Sequence, residues 1–235
     1  MHVPDPRPER PERPGPPPGW VRVSPFGDRA YLLEPGAAPE GGGRGGEATA
    51  WVLPVVRAAR DRWPAATVVA GLASVLVAFE SPAGRPDEAS LLCGWARPDP
   101  GAASAAGRRV LRIPIRYDGP DLADVARRLG LSPAELAARH RAAEWTVAAL
   151  GFSPGFGYLT TPDPLFRDVP RRADPRRRVP AGALAIAAGM SAVYPSATPG
   201  GWNLIGSTDA VLFDVGRVPP ALLGVGDRVV FEEQP

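Results

Sequence analysis

Lysine is absent from the 235-residue chain, so every one of its 27 basic residues is an arginine. That absence excludes a lysine-bearing phosphate loop, a Schiff-base lysine and a biotin-carrying lysine. A single cysteine, Cys93 in the apolar run LLCGW, allows no internal disulfide. It reads as a buried inert thiol in a reducing compartment. Histidine is scarce, with only His2 and His140, so no zinc site of the usual His/Cys type is expected. No stretch of about 18 apolar residues would cross a membrane. The Pro-, Arg- and Glu-rich N-terminus has no apolar signal core. A soluble cytoplasmic protein is the expectation. The G-x-S-x-G elbow of serine hydrolases is missing too, which speaks against a Ser-His-Asp triad.

Charge and hydrophobicity set further bounds. The formal net charge is only +2, so the sequence pI of 9.1 is not a nucleic-acid signature. Hydrophobic residues make up 44% of the chain, enough to bury a core. The length allows one large or two small domains.

Along the chain the expected organisation is a disordered Pro-rich tail over 1–19, a small α+β domain over 20–107, and a mainly-β domain over 108–235. Proline and charge deny the tail a core. VRVSPFGDRAYLLEP alternates around a Gly-Asp turn and predicts a hairpin. Gly36–Glu47 reads as a flexible loop without phosphate-binding spacing. Ala48–Trp63 carries apolar residues at helical spacing, with Pro54 in its first turns. Thr67–Glu80 predicts two strands about Gly71. Pro86–Trp95 suggests a helix, and residues 98–107 a linker.

The second domain opens with a strand over Val110–Tyr117. A helix follows, with Asp121 as N-cap and Gly130 just past its end. The next helix has Ser132 as N-cap, Pro133 at its first position and Glu135 closing a capping box, and runs to about Trp145. Strands are then expected over 146–150, 183–188, 192–194, 202–207, 211–214 and 228–231. Turn residues between them favour a closed or nearly closed β-barrel.

Candidate site residues concentrate between Leu150 and Gly206. GFSPGFGYL (151–159), PRRADPRRRVPAG (170–182) and YPSATPGGWNLIG (194–206) combine rigid Gly/Pro turns with aromatic faces and guanidinium forks. Those are the ingredients of a pocket for a small, flat, anionic or amide-bearing molecule. Phe156, Tyr158, Tyr194 and Trp202 read either as pocket wall or as plain core. Arg171, Arg172 and Arg176 either bind a carboxylate or phosphate bidentately or pin their loop to carbonyls. Arg177 and Arg178 read as solvated surface. Gly200-Gly201 would let backbone N–H groups approach an anion. His140 is either a satisfied core residue or a proton-transfer group at the pocket edge.

These three motifs, in this order, resemble the family of 5-oxoprolinase B subunits, also known as allophanate hydrolase subunit 1, which includes a sporulation-kinase inhibitor. The resemblance spans about Trp20–Phe231. It implies a cyclophilin-like barrel after a smaller α+β domain. It also implies an enzyme component that, with C and A subunits, couples ATP hydrolysis to opening of 5-oxo-L-proline into L-glutamate, and that is inactive alone. ATP would be the co-substrate. On this resemblance His140 and Arg176 are the catalytic candidates. Phe156, Tyr158, Arg171, Ser191, Tyr194, Gly201, Trp202 and Asn203 are the substrate-binding candidates. No metal ligand, nucleic-acid partner or membrane partner is implied. Two rival functions are a kinase-inhibiting binding protein and a component of a urea or allophanate pathway. The sequence departs from the family form at Gly157 (commonly proline), Met190 and Asn203 (commonly glutamine) and Ser191 (commonly threonine).

Overall fold

A computed structural model of the chain describes residues 21–36, 46–87 and 109–234. The expected tail, most of the glycine-rich loop, the helix around Cys93 and the 98–107 linker lie outside the described residues.

The N-terminal hairpin forms as expected. Strands β1 (Val21–Phe26) and β2 (Ala30–Pro35) pair antiparallel across Gly27, whose φ of +68° suits a residue without Cβ. Helix α1 (Gly46–Arg62) follows, then β3 (Thr67–Ala70) and β4 (Val75–Ala78), giving the sheet order β1-β2-β4-β3. Alternate strand residues, among them Val23, Leu33, Val75 and Val77, meet Val52, Val55, Val56 and Ala59 of α1 in one apolar cluster. The helix starts earlier than the periodicity predicts, so Pro54 lies in its interior and not in its first turns.

The remaining strands build a mainly-β, nearly closed barrel. They are β5 (Val110–Ile115), β6 (Trp145–Leu150), β7 (Gly157–Thr160), β9 (Ala183–Ala187), β10 (Met190–Val193), β12 (Asn203–Ser207) and β13 (Arg228–Glu233). Their order is β12-β9-β10-β7-β6-β13-β5, with β5 and β13 parallel and the other neighbours antiparallel. The two edges meet where Arg116 and Ser207 exchange backbone hydrogen bonds of 2.9 and 2.8 Å. Glycine permits that seam: a Cβ on Gly206 would sit 2.4 Å from the Arg116 carbonyl oxygen.

Every barrel strand sends alternate residues inward, including Ile113, Val147, Leu159, Ile186, Val193, Ile205 and Phe231. Helices α2 (Leu122–Arg128) and α3 (Pro133–Ala142) add Leu122, Val125 and Leu136 to that core. The capping box of Ser132 and Glu135 is present, with Pro133 at the first helical position.

Outside the barrel, β8 (Arg176–Val179) and β11 (Thr198–Gly200) pair as a two-stranded ribbon. Val179 of the ribbon and the outward alanines 183, 185, 187 and 192 of β9 and β10 share a separate apolar cluster. The sequence pattern does not show β7, β8 or β11, because glycine, proline and arginine conceal alternation that backbone pairing does not need. Conversely, the strand expected over 211–214 is only an isolated bridge between Phe213 and Ala221. The expected coarse class, mainly β with a barrel, agrees with this architecture.

Candidate functional site

The sequence predicts Asp121 as the cap of α2, but its side chain makes no cap hydrogen bond. It turns instead toward two arginines. Its carboxylate accepts Arg176 Nη1 and Nη2 at 2.8 Å each, Arg172 Nη1 at 3.0 Å and the Leu204 backbone N–H at 2.7 Å. A carboxylate offers about four acceptor directions, and three guanidinium N–H groups with the Leu204 N–H fill them better than one capping N–H does. Burial alone would raise the Asp121 pKa. The bonds from Arg176 and Leu204, with the charges of Arg176 and Arg172, outweigh it and hold the pKa below the usual carboxylate value. The side chain thereby ties three segments together: the start of α2, the 172–176 stretch and the start of β12.

Above this tie lies a cleft of about 700 Å³. One wall is α2, with Asp124, Val125, Arg127 and Arg128; the other is the 170–174 loop, and Asp121 and Asn203 complete the lining. Asn203 donates through Nδ2 to the Pro170 carbonyl at 2.8 Å and the Ile186 carbonyl at 3.3 Å, so its amide braces the loop. Arg172 braces it again, its backbone N–H reaching the Gly201 carbonyl at 2.8 Å. Arg127 pairs with Asp124 at 2.5 Å. Arg128 and Arg171 have no hydrogen-bond or ion-pair partner among the described residues.

The expected aromatic residues come together beside the cleft, between the barrel and the ribbon. Phe156 contacts Tyr158, Tyr194 and Trp202 with ring centroids 5.0, 5.3 and 6.1 Å apart, all edge to face. Phe156, Tyr194 and Trp202 are buried and Tyr158 half-buried. None of the four lines the cleft itself. Tyr158 sits within β7, not in a loop. Gly200 is required here, since a Cβ would lie 2.4 Å from the Tyr194 hydroxyl. Burial raises the Tyr194 pKa, as does neighbouring Tyr158, while the positive charges of Arg171 and Arg176 pull it back. The aromatic cluster and the arginines thus share one electrostatic neighbourhood.

His140 lies elsewhere. It is fully buried, not at a pocket edge. Its ring sits 4.9 Å from Trp145 and 4.8 Å from Phe231, centroid to centroid. Nδ1 bonds Tyr117 Oη and Nε2 bonds Ser191 Oγ, both at 2.9 Å. Burial pushes its pKa down to about 3, so near neutral pH it is an uncharged imidazole. Ser191, also buried, faces this histidine and not the cleft. Arg176 is committed to Asp121. Among the expected site residues, Arg171, Arg172 and Asn203 line the cleft, and Gly201 bonds the loop that forms its wall.

Three cleft residues carry no distinguishing signal in the sequence. The sequence singles out neither Arg128 nor Asp174, and Asp121 reads there as a cap. Only the tertiary approach of α2 to the 170–174 loop gives them a common role. Among the described residues no group of three or more His, Cys, Asp or Glu could hold a metal ion. Nor is any described helix long and apolar enough to cross a membrane.

The chain is similar to known proteins in sequence and fold. The family model for the carboxyltransferase domain, subdomain C and D, matches residues 21–223. The B subunit of 5-oxoprolinase from Escherichia coli O157:H7 is 48% identical over 130 residues, covering 54% of this chain and 59% of that protein. The chain therefore spans less than two thirds of that relative. The crystal structure of TTHA0988 superposes with a TM-score of 0.70 at 37% identity, covering 88% of this chain and 40% of that one. The Kluyveromyces lactis urea amidolyase shares the fold alone, with a TM-score of 0.63 at 18% identity over 91% of this chain and 15% of its own.

Proposed function

We propose, from the premise that this chain belongs to the family of carboxyltransferase domains, subdomain C and D, that it is the B subunit of an ATP-dependent 5-oxoprolinase. The observation that carries the reading is the 48% identity to the B subunit of a bacterial 5-oxoprolinase. The cleft beside the aromatic cluster supports it. In this reading the chain acts in the cytoplasm with C and A subunits and is inactive alone. In the same reading a small α+β domain over 20–107 would precede a cyclophilin-like barrel over 108–235.

The chemistry is a ring opening. A lactam is a poor electrophile, because nitrogen donates into its carbonyl. Transfer of the γ-phosphoryl group of ATP to the lactam oxygen leaves ADP and makes a competent leaving group. One water then adds at that carbon and the C–N bond breaks, leaving a free amine and a γ-glutamyl phosphate. A second water displaces phosphate from that acyl phosphate to give L-glutamate. This chain would supply one wall of the site and its partners the remainder, nucleotide contacts included. Arg171 would hold the carboxylate or phosphoryl group, and Gly201 and Asn203 the amide. Phe156, Tyr158, Tyr194 and Trp202 would back the site. Arg176, fixed by Asp121, would position the loop that presents Arg171. His140, with Ser191, would support the barrel wall behind the site and keep its proton inside the fold.

The test is to co-purify the chain with its neighbouring gene products and assay ATP-dependent glutamate release from 5-oxo-L-proline. Capture of a histidine kinase without the A or C subunits would instead favour the kinase-inhibitor reading.

A further inference from the structure

The cleft holds more positive charge than its own carboxylates balance, and we propose that it binds a phosphoryl group carried as a dianion by a small molecule. Four arginines and three aspartates line it. Arg127 is neutralised by Asp124. Asp121 is shared between Arg172 and Arg176, which leaves that group net cationic. Arg128 and Arg171 are unpaired among the described residues, against the single unpaired carboxylate of Asp174.

The arrangement selects the ligand class. A guanidinium presents a planar fork that takes two oxygens of a carboxylate or phosphate. One fork satisfies a carboxylate. Two unpaired forks on separate walls, one from α2 and one from the 170–174 loop, suit a group with three terminal oxygens and about two charges. Arg172 adds a third cation beneath them. Asp121 holds it by one nitrogen, and its Nε–H is shielded from solvent without a partner, so the field it projects is not spent on a second carboxylate. Seven of the eleven lining residues are charged and only Val125, Pro170 and Ala173 are apolar, which fits a hydrophilic ligand. About 700 Å³ accommodates a small phosphorylated molecule.

The site is defined by its own charges, and only its connection to ring opening rests on the function proposed above. There it would hold the transferred phosphoryl group or the tail of its donor.

The experiment is a calorimetric titration of the full chain with inorganic pyrophosphate at low ionic strength, where screening is least. Wild type is expected to bind. Arg128→Ala and Arg171→Ala should each weaken binding by about tenfold or more, as loss of a charge-assisted hydrogen-bond pair does. Arg178→Ala removes an exposed arginine on β8 outside the cleft and should change it by less than about twofold. Because Arg128 and Arg171 have no hydrogen-bond or ion-pair partner among the described residues, thermal unfolding should be unchanged in both variants. Absence of binding, an equal loss in Arg178→Ala, or displacement of pyrophosphate by glutamate as readily as by phosphate itself would overturn the proposal. The two readings separate cleanly. Glutamate release by the assembled complex without pyrophosphate binding would sink this site and leave the ring-opening function. Binding without glutamate release would do the reverse.

Discussion

Asp121 grips both terminal nitrogens of Arg176 at 2.8 Å each, although the two residues are 55 positions apart in sequence. The pair, joined by Arg172 and the Leu204 N–H, fixes the cleft's walls relative to the barrel. Asp121→Asn keeps the shape but removes the charge. It should cost about 3 kcal/mol, within the range for breaking a largely buried ion pair. Urea unfolding measures this. The loss should also shift with pH. The folded-state pKa of Asp121 is depressed, so its stabilisation is complete above the unfolded carboxylate value and fades as pH falls through the lower folded value. The variant should lack that acid limb.

His140 gives a second pH signature in a different window. Its folded pKa is about 3, against 6.5 when unperturbed. Between those values the unfolded chain binds a proton that the folded chain does not. Stability should therefore fall on acidification, by about 1.4 kcal/mol per pH unit below that unperturbed value. Above it the residue contributes no slope. His140→Gln should flatten the dependence by one proton between about pH 6 and pH 4, as read from denaturant midpoints at several pH values.

Gly206→Ala tests the barrel seam. The added methyl would meet the Arg116 carbonyl oxygen at 2.4 Å, and a backbone atom there cannot move aside as a side chain would. Destabilisation of about 1–3 kcal/mol is expected from overpacking, with loss of hydrogen-exchange protection at Arg116 and Ser207.

How much of the fold and site is legible in sequence depends on the kind of signal. Several local signals read correctly, although the second of the two helices after Val110–Ile115 ends at Ala142 and not at about Trp145. The Ser132–Glu135 capping box, the turn at Gly27 and the alternation of Val110–Ile115 each state their structure within a few residues. Signals hidden by composition do not. RRRV in β8 and GYLT in β7 carry no apolar alternation, so their pairing emerges only in space. The aromatic cluster is foreseeable because Gly/Pro-rich motifs gather rings. The arginines are foreseeable as a group, but their division is not. Arg176 is spent on a buried carboxylate whereas Arg171 has no such partner among the described residues, and nothing in PRRADPRRR distinguishes the two. That distinction follows from Asp121, a residue whose sequence context reads as a helix cap.

Under the proposed function, Arg171 presents an unpaired cation to an anionic group of the substrate within a multi-subunit 5-oxoprolinase. Steady-state kinetics of the assembled complex test it most directly, comparing wild type with Arg171→Ala at matched thermal stability. The expected result is a fall of at least about tenfold in kcat/KM for ATP-dependent glutamate release. An unchanged kcat/KM in a complex that remains intact would contradict it.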